Sequence, residues 1–395
     1  MHYDFPLITH IDDVLPAIEG SPEFVVAERD GFTVLNYNVM MPDTFPAIKV
    51  AGGSAKMREL RMLHNKMRRE CRGIMFDSNT GKIIRRPFHK FFNLNERDET
   101  QVGNVNLSDN HYIMDKLDGS MIAPFYNYGI IRWGTKMGIT DVAAPVEMHV
   151  QGSPYEDLAK KWIDIGFTPI FEWCSRKQRI VLDYEEDELV LTAIRGMYTG
   201  EYIDYEELTV EAARYNIPVV GVIHPTKDLK EFARFVAQEK SIEGYVIDDR
   251  GHKIKVKTDE YVMIHKAKEA ILQDRNIVEM ILENKLDDVE AHLPKEDRER
   301  LQAFKIKIQN RISEIADRLF MKTEHNSKSM DRKNFALNVA PKLCDLDRAT
   351  VFSLWDDNSV TNAYLTVINN VKKKLSNNKN YEVLASTWFE GIRFN

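Results

Sequence analysis

At 395 residues, with 43% hydrophobic and 29% charged side chains, the chain has the make-up of a folded protein and is long enough for two compact domains. No apolar run approaches the roughly 20 residues needed to cross a bilayer, and the opening Met1-His2-Tyr3-Asp4-Phe5 has neither the basic start nor the apolar stretch of a secretion signal. A formal net charge of −7 argues against a protein that coats nucleic acid without selectivity; three scattered cysteines lack metal-ligand or disulfide spacing, so a reducing cytosol is expected.

The first predicted elements are two short apolar runs, 24–27 and 32–35, on either side of Asp30-Gly31, a strong hairpin signal. A basic stretch follows: Lys56, Arg58, Arg61, Lys66, Arg68, Arg69 and Arg72, then Lys82, Arg85, Arg86 and Lys90. It reads either as a solvated helix face followed by a hairpin or as a surface that faces phosphates. Strands 73–76 and 82–86 pair through Ser78-Asn79-Thr80-Gly81, and 121–126 and 130–135 pair through Asn127-Tyr128-Gly129. More strands are expected at 169–174, 188–195, 244–247 and 253–257, with helices near 155–165, 206–215 and 228–239. Short spacers between so many strands favour antiparallel pairing and an α+β class. After Tyr261 the strand signals stop. Leu301, Phe304, Ile308, Ile312, Ile315 and Leu319 recur every three or four residues, one face of an amphipathic helix that begins near Pro294. Helices are also expected at 266–284 and 359–375, so the C-terminal third reads as a separate all-α domain.

The chemistry starts at Asp115-Lys116-Leu117-Asp118-Gly119-Ser120. A protonated, solvated lysine is a poor nucleophile, so a reactive one must be partly desolvated or set beside other cations. Lys116 at a strand end, followed by a glycine that lets the backbone turn sharply beside a ligand, can be held that way. Such a tetrapeptide alone usually marks a surface turn. Its surroundings carry more weight. Glu172 stands within the apolar run Phe171-Glu172-Trp173, where a carboxylate needs a partner or a metal. Glu243-Gly244 and Lys255-Val256-Lys257 follow. Alternation along a strand puts Lys255 and Lys257 on one face, which suits a triphosphate, although lysines also guard exposed strand edges.

Lys116-Leu117-Asp118-Gly119, Phe171-Glu172, Glu243-Gly244 and Lys255-Val256-Lys257 resemble motifs I, III, IV and V of the covalent nucleotidyltransferases. That superfamily comprises DNA ligases, RNA ligases and capping guanylyltransferases. Glu70-Cys71-Arg72-Gly73-Ile74-Met75-Phe76 and Arg86-Pro87-Phe88-His89-Lys90-Phe91-Phe92-Asn93-Leu94-Asn95-Glu96 are similar to the bacteriophage RNA ligase 1 family. So are Arg179-Ile180-Val181-Leu182, Thr199-Gly200-Glu201-Tyr202-Ile203, Tyr261, Leu286-Asp287-Asp288 and Asp331-Arg332-Lys333. The resemblance spans nearly the whole chain. It implies an antiparallel-sheet nucleotidyltransferase domain over residues 1–265 and a helical domain over 266–395.

The resemblance further implies an ATP-dependent ligase of single-stranded RNA, or of tRNA nicked in its anticodon loop, acting in RNA repair as a monomer in the cytoplasm of a phage host. Lys116 would carry AMP. Tyr37, Arg72, Lys90, Lys136, Glu172, Glu243, Lys255 and Lys257 would bind the nucleotide, with Asp118, Gly119 and Tyr261 around them. Glu243, Asp287 and Asp288 would hold Mg²⁺, unless one aspartate caps a helix. Tyr37 is equally explained as a core aromatic. Phe91 and Phe92, an aromatic pair in a strand, are usually core, although one of the two could line the site, while His89 and His265 are structural or RNA-facing. The rival readings are a DNA ligase, a capping guanylyltransferase, or an RNA-binding protein that has lost catalysis.

Overall fold

A computed structural model of the chain describes residues 3–41, 43–356 and 359–394 and divides into two compact units, Met1–Val262 and Met263–Asn395. Met1 and His2 of the opening segment lie outside the described residues.

The first unit begins with α1 (Leu15–Ile18) and the hairpin β1 (Phe24–Glu28) and β2 (Phe32–Tyr37), which turns at Gly31 with φ of 87°. Helix α2 (Ala55–Glu70) leads to β3 (Ile74–Asp77) and β4 (Ile83–Arg85), completing an antiparallel sheet in the order β1-β2-β3-β4. Then come β5 (Phe92–Asn93), β6 (Tyr112–Asp115), and the hairpin β7 (Ser120–Asn127) and β8 (Ile130–Gly134). Helices α3 (Ala143–Val150) and α4 (Pro154–Asp164) precede β9 (Phe167–Cys174) and β10 (Glu188–Gly196). These strands make a second sheet, β10-β9-β7-β8. Helix α5 (Tyr205–Tyr215), β11 (Val222–Ile223), α6 (Leu229–Gln238), β12 (Gly244–Asp249) and β13 (His252–Lys257) follow, giving a third sheet, β11-β6-β12-β13-β5. Only β5 among these ladders pairs in parallel, with β13.

Strands β7, β9 and β10 are buried on both faces, which explains their nearly unbroken apolar runs. Between the sheets lie Phe76, Phe92, Ile122, Trp133, Phe171 and Leu191. Helix α4 covers this core with Tyr155, Leu158, Ala159, Trp162 and Ile163, a stripe at helical spacing. Each such large side chain contributes about 1.5–3 kcal/mol by leaving water.

Helix α7 (Asp259–Ala270) spans the division between the units. The second unit continues with α8 (Asp274–Glu283), α9 (Leu286–Glu290), α10 (Lys295–Ser329), α11 (Arg332–Asn338), α12 (Asp345–Leu354), α13 (Val360–Lys374) and α14 (Asn378–Ala385). The predicted stripe from Leu301 to Leu319 is buried along α10. Asp347 ties α12 to α10 and to the turn after α14: it accepts from both terminal nitrogens of Arg318 at 2.6 and 2.9 Å and from Trp388 Nε1 at 2.8 Å.

Three expectations need correction. The single helix predicted at 266–284 is two helices, broken at Leu272-Gln273, and the first begins at Asp259, where Thr258 Oγ1 accepts from Tyr261 N. Strands β5 and β11, two residues long, were not anticipated, and β6 only as a strand ending at Lys116. The basic stretch is neither one helix face nor one phosphate surface. Lys56 and Arg61 are exposed on α2, Arg69, Arg85 and Arg86 are buried, and Arg72 and Lys90 turn toward the cleft described next.

Candidate active site

Lys116 sits where the chain leaves β6 in the third sheet and enters β7 in the second. Its backbone N–H donates to Gly244 O at 2.9 Å, while Asp115 N donates to Gly221 O at 2.9 Å, so the lysine is fixed to the start of β12. Gly119 makes the crossing possible. A Cβ there would lie 3.0 Å from Glu172 Cγ and only 2.4 Å from Trp173 O, a backbone contact that no side chain tolerates. The turn therefore lies directly against β9, beside Glu172.

Asp118 is buried and serves as a clamp. Its Oδ2 accepts from Val181 N at 2.7 Å and Leu182 N at 2.6 Å, and its Oδ1 accepts from Tyr261 Oη at 2.6 Å. Its own N–H donates to Tyr184 Oη at 2.9 Å. One carboxylate thus ties the Lys116 turn to the 179–184 loop and to α7. Tyr261 is buried under Lys257, whose Nζ lies 4.9 Å from the ring centre; burial, Glu243 and Asp118 raise its hydroxyl pKa strongly.

Around Lys116 the charges alternate. Lys116 Nζ lies 2.7 Å from Glu243 Oε1, and Lys257 Nζ lies 2.9 Å from the same oxygen. Glu243 is 3% exposed. Glu172, opposite Met121 and Val190 in the ladders, is pushed up to about 7 by burial and by Glu243, against the pull of Lys116 and Arg72. Lys255 is driven well below the ordinary lysine value by burial and by Arg72, Lys90, Lys116 and Lys257.

A second set of cations gathers round Tyr37 at the end of β2. Lys90 Nζ lies 5.3 Å and Lys136 Nζ 5.6 Å from its ring centre. Burial opposes ionisation of the Tyr37 hydroxyl, yet Lys90, Arg72 and Lys136 hold it below its usual value. Lys136 is itself lowered, by burial and by Arg72 and Lys90. Buried Arg72 Nη1 has no hydrogen-bond partner within the protein. Phe92 and Phe91 are both buried and both lie under cations: Lys90 is 5.2 Å from the Phe92 centre and Lys255 4.8 Å from that of Phe91. His89 is buried against Tyr202 Oη at 2.9 Å.

The structure thus brings together Tyr37, Arg72, Lys90, Lys116, Lys136, Glu172, Glu243, Lys255 and Lys257 within the first unit, with Asp118, Gly119 and Tyr261 bracing them. Asp287 and Asp288 belong to the second unit, exposed in the first turn of α9. Among the described residues no group of three or more His, Cys, Asp or Glu side chains could hold a metal ion by itself. Asp331 caps α11 by accepting from Asn334 N at 2.8 Å, which accounts for that residue without a ligand. Sequence reasoning missed Tyr184, and it did not separate Arg85 from its basic neighbours. No helix among the described residues is long and apolar enough to cross a membrane.

The sequence profile of the RNA ligase family matches residues 70–269. A Thermovibrio ammonificans protein, provisionally named an RNA ligase, is 28% identical over 295 residues, covering 71% of each chain. RNA ligase 1 of bacteriophage TS2126 is 26% identical over 200 residues, which are 48% of this chain and 50% of the phage protein. A solved archaeal ATP-dependent RNA ligase superposes on 77% of this chain and 78% of its own, at 14% identity and a TM-score of 0.45.

Proposed function

The chain belongs to the RNA ligase family, and from that membership and the geometry of the cleft we propose that it joins RNA ends with ATP, storing AMP on Lys116. Lys116 Nζ attacks the α-phosphorus of ATP. An N–P bond forms, the bond to the β-phosphate oxygen breaks, pyrophosphate leaves and the nitrogen gives up a proton. AMP then passes from the lysine to the 5′-phosphate of an RNA end. A 3′-hydroxyl displaces it to close the phosphodiester. Such phosphoryl transfers depend on alignment and fixed positive charge more than on covalent help from the protein.

The observation that carries this reading is the sharing of Glu243 by Lys116 and Lys257 in a cleft lined by cations. Glu243 orients the nucleophile and places Lys257 where the α-phosphate charge develops. Arg72, Lys90 and Lys136, gathered at Tyr37, suit the β- and γ-phosphates, with Lys255 between the two groups. The raised Glu172 beside Glu243 fits a divalent cation, which would relieve the repulsion between the two carboxylates. Two carboxylates alone make a water-mediated Mg²⁺ site; when bound, the ion would neutralise charge on the phosphates. Asp287 and Asp288 are assigned a second Mg²⁺ from the family resemblance. The substrate is taken to be single-stranded RNA, with a nicked anticodon loop in the host cytoplasm as its natural form. A monomer is taken as the active species, since one chain supplies the whole cleft.

The test is incubation with α-labelled ATP, or labelled GTP, and Mg²⁺. Wild type is expected to take label from ATP only and to seal 5′-phosphorylated single-stranded RNA, and Lys116→Ala to take none. A labelled Lys116→Ala protein, a GMP adduct, or preference for nicked duplex DNA would refute the assignment.

A further inference from the structure

Arg85, in β4, is 0% exposed and faces no carboxylate. Its neighbours Arg86 and Arg195 are equally buried, but they share Glu70 at 2.8–3.1 Å. Arg85 instead donates to backbone carbonyls: Nη1 to Ala123 O at 3.2 Å and Gly134 O at 2.9 Å, Nη2 to Gly73 O at 3.0 Å and Thr135 O at 2.7 Å. Its Nε is buried without a partner. Burial lowers the guanidinium pKa to about 9, the sign of a charge held at a cost. A buried cation without a counter-ion is expensive, and a neutral apolar residue would serve a simple core better.

The two carbonyls on Nη2 explain the expense. Gly73 follows Arg72, and Thr135 precedes Lys136. The backbones also touch: a Cβ on Gly73, at φ of 88°, would lie 2.7 Å from Lys136 Cα. Both segments are irregular backbone just outside β3 and β8, with no ladder between them. Nη2 reaches both of these carbonyls while Nη1, in the same plane, is held by Ala123 O and Gly134 O, and the three N–H donors of a lysine ammonium cannot serve all four.

We propose that Arg85 is a positioning residue for the polyphosphate end of the nucleotide site, setting the spacing of Arg72 and Lys136 through the carbonyls of Gly73 and Thr135. This rests on the reading of the cleft given above. ATP needs that end only until pyrophosphate leaves. Sealing of RNA that already carries AMP on its 5′-phosphate does not need it. Arg85 therefore acts on the first step and not on the last.

Arg85→Lys and Arg85→Gln separate the two steps. Label transfer from ATP, measured against ATP concentration, is expected to show KM raised tenfold or more in Arg85→Lys and further in Arg85→Gln. Sealing of pre-adenylylated single-stranded RNA should stay within twofold of wild type. In a Lys136→Ala background, Arg85→Lys should add less than twofold to the KM change, because the spacing it sets has lost one member. Equal losses in both steps, a fall in melting temperature with both steps gone, fully additive KM changes, or no change at all would each overturn the role of Arg85. Wild-type protein that takes no label from ATP would instead overturn the reading of the cleft.

Discussion

Asp118 and Glu172 are carboxylates a few residues apart in space and opposite in condition. Asp118 accepts three hydrogen bonds and is spent on architecture. Glu172 stands in an apolar strand with its carboxyl pushed up to about 7, first by burial and then by Glu243. A carboxyl that holds its proton more tightly folded than unfolded stabilises the fold fully below its unfolded value near 4.3, and that contribution fades as pH rises through about 7. Glutamine at this position cannot ionise. In the absence of nucleotide, Glu172→Gln is expected to melt like wild type at pH 5 and roughly 3 °C or more above it at pH 8. Paired melting curves at the two pH values check this, and a gap that narrows toward pH 8 would count against it. Glu172 was readable in the sequence because a charge amid Phe171 and Trp173 demands an explanation. Arg85 was not, because composition makes it identical to Arg86, and only the missing counter-ion tells them apart.

The elements contribute mostly through their ends. Tyr37 closes β2, Arg72 precedes β3, Lys136 follows β8, and Glu243 precedes β12. The hairpins could be read because turn residues such as Asp30-Gly31 declare themselves locally. Strand β5 could not: it is two residues long and pairs in parallel with β13, far away in sequence. Strand β6 was legible only as a strand ending at Lys116; its pairing with β12, which brings Lys116 to Glu243, was not. Gly119 is the tightest of these junctions. A methyl group 2.4 Å from Trp173 O forces β7 and β9 apart at Glu172. Gly119→Ala should cost about 1–3 kcal/mol and cut label transfer from ATP at least tenfold. Thermal melting and the adduct assay read the two effects, and an unaltered adduct rate would show that the junction is slack.

At the scale of the molecule, the cleft lies wholly in the unit Met1–Val262, and of the residues proposed as ligands only Asp287 and Asp288 lie outside it. A fragment of residues 1–262 is expected to take AMP from ATP and Mg²⁺, with RNA sealing lost or much reduced. Autoradiography of the fragment, compared with Asp287→Ala and Asp288→Ala in the full chain, decides it. A fragment that folds but takes no label would move part of the first step into the helical unit. The cleft also draws on segments from Tyr37 to Lys257, joined by ladders such as β6 with β12 and β5 with β13. Ladders of such long sequence separation form late, after much loop entropy has been lost. On a ribosome, where domains fold as they emerge, the proposed nucleophile Lys116 is made long before Glu243, which pairs with it, and Lys257, which shares that carboxylate. On the proposed mechanism, growing chains are expected to be inert toward ATP, with label on Lys116 appearing only once the first unit has finished folding.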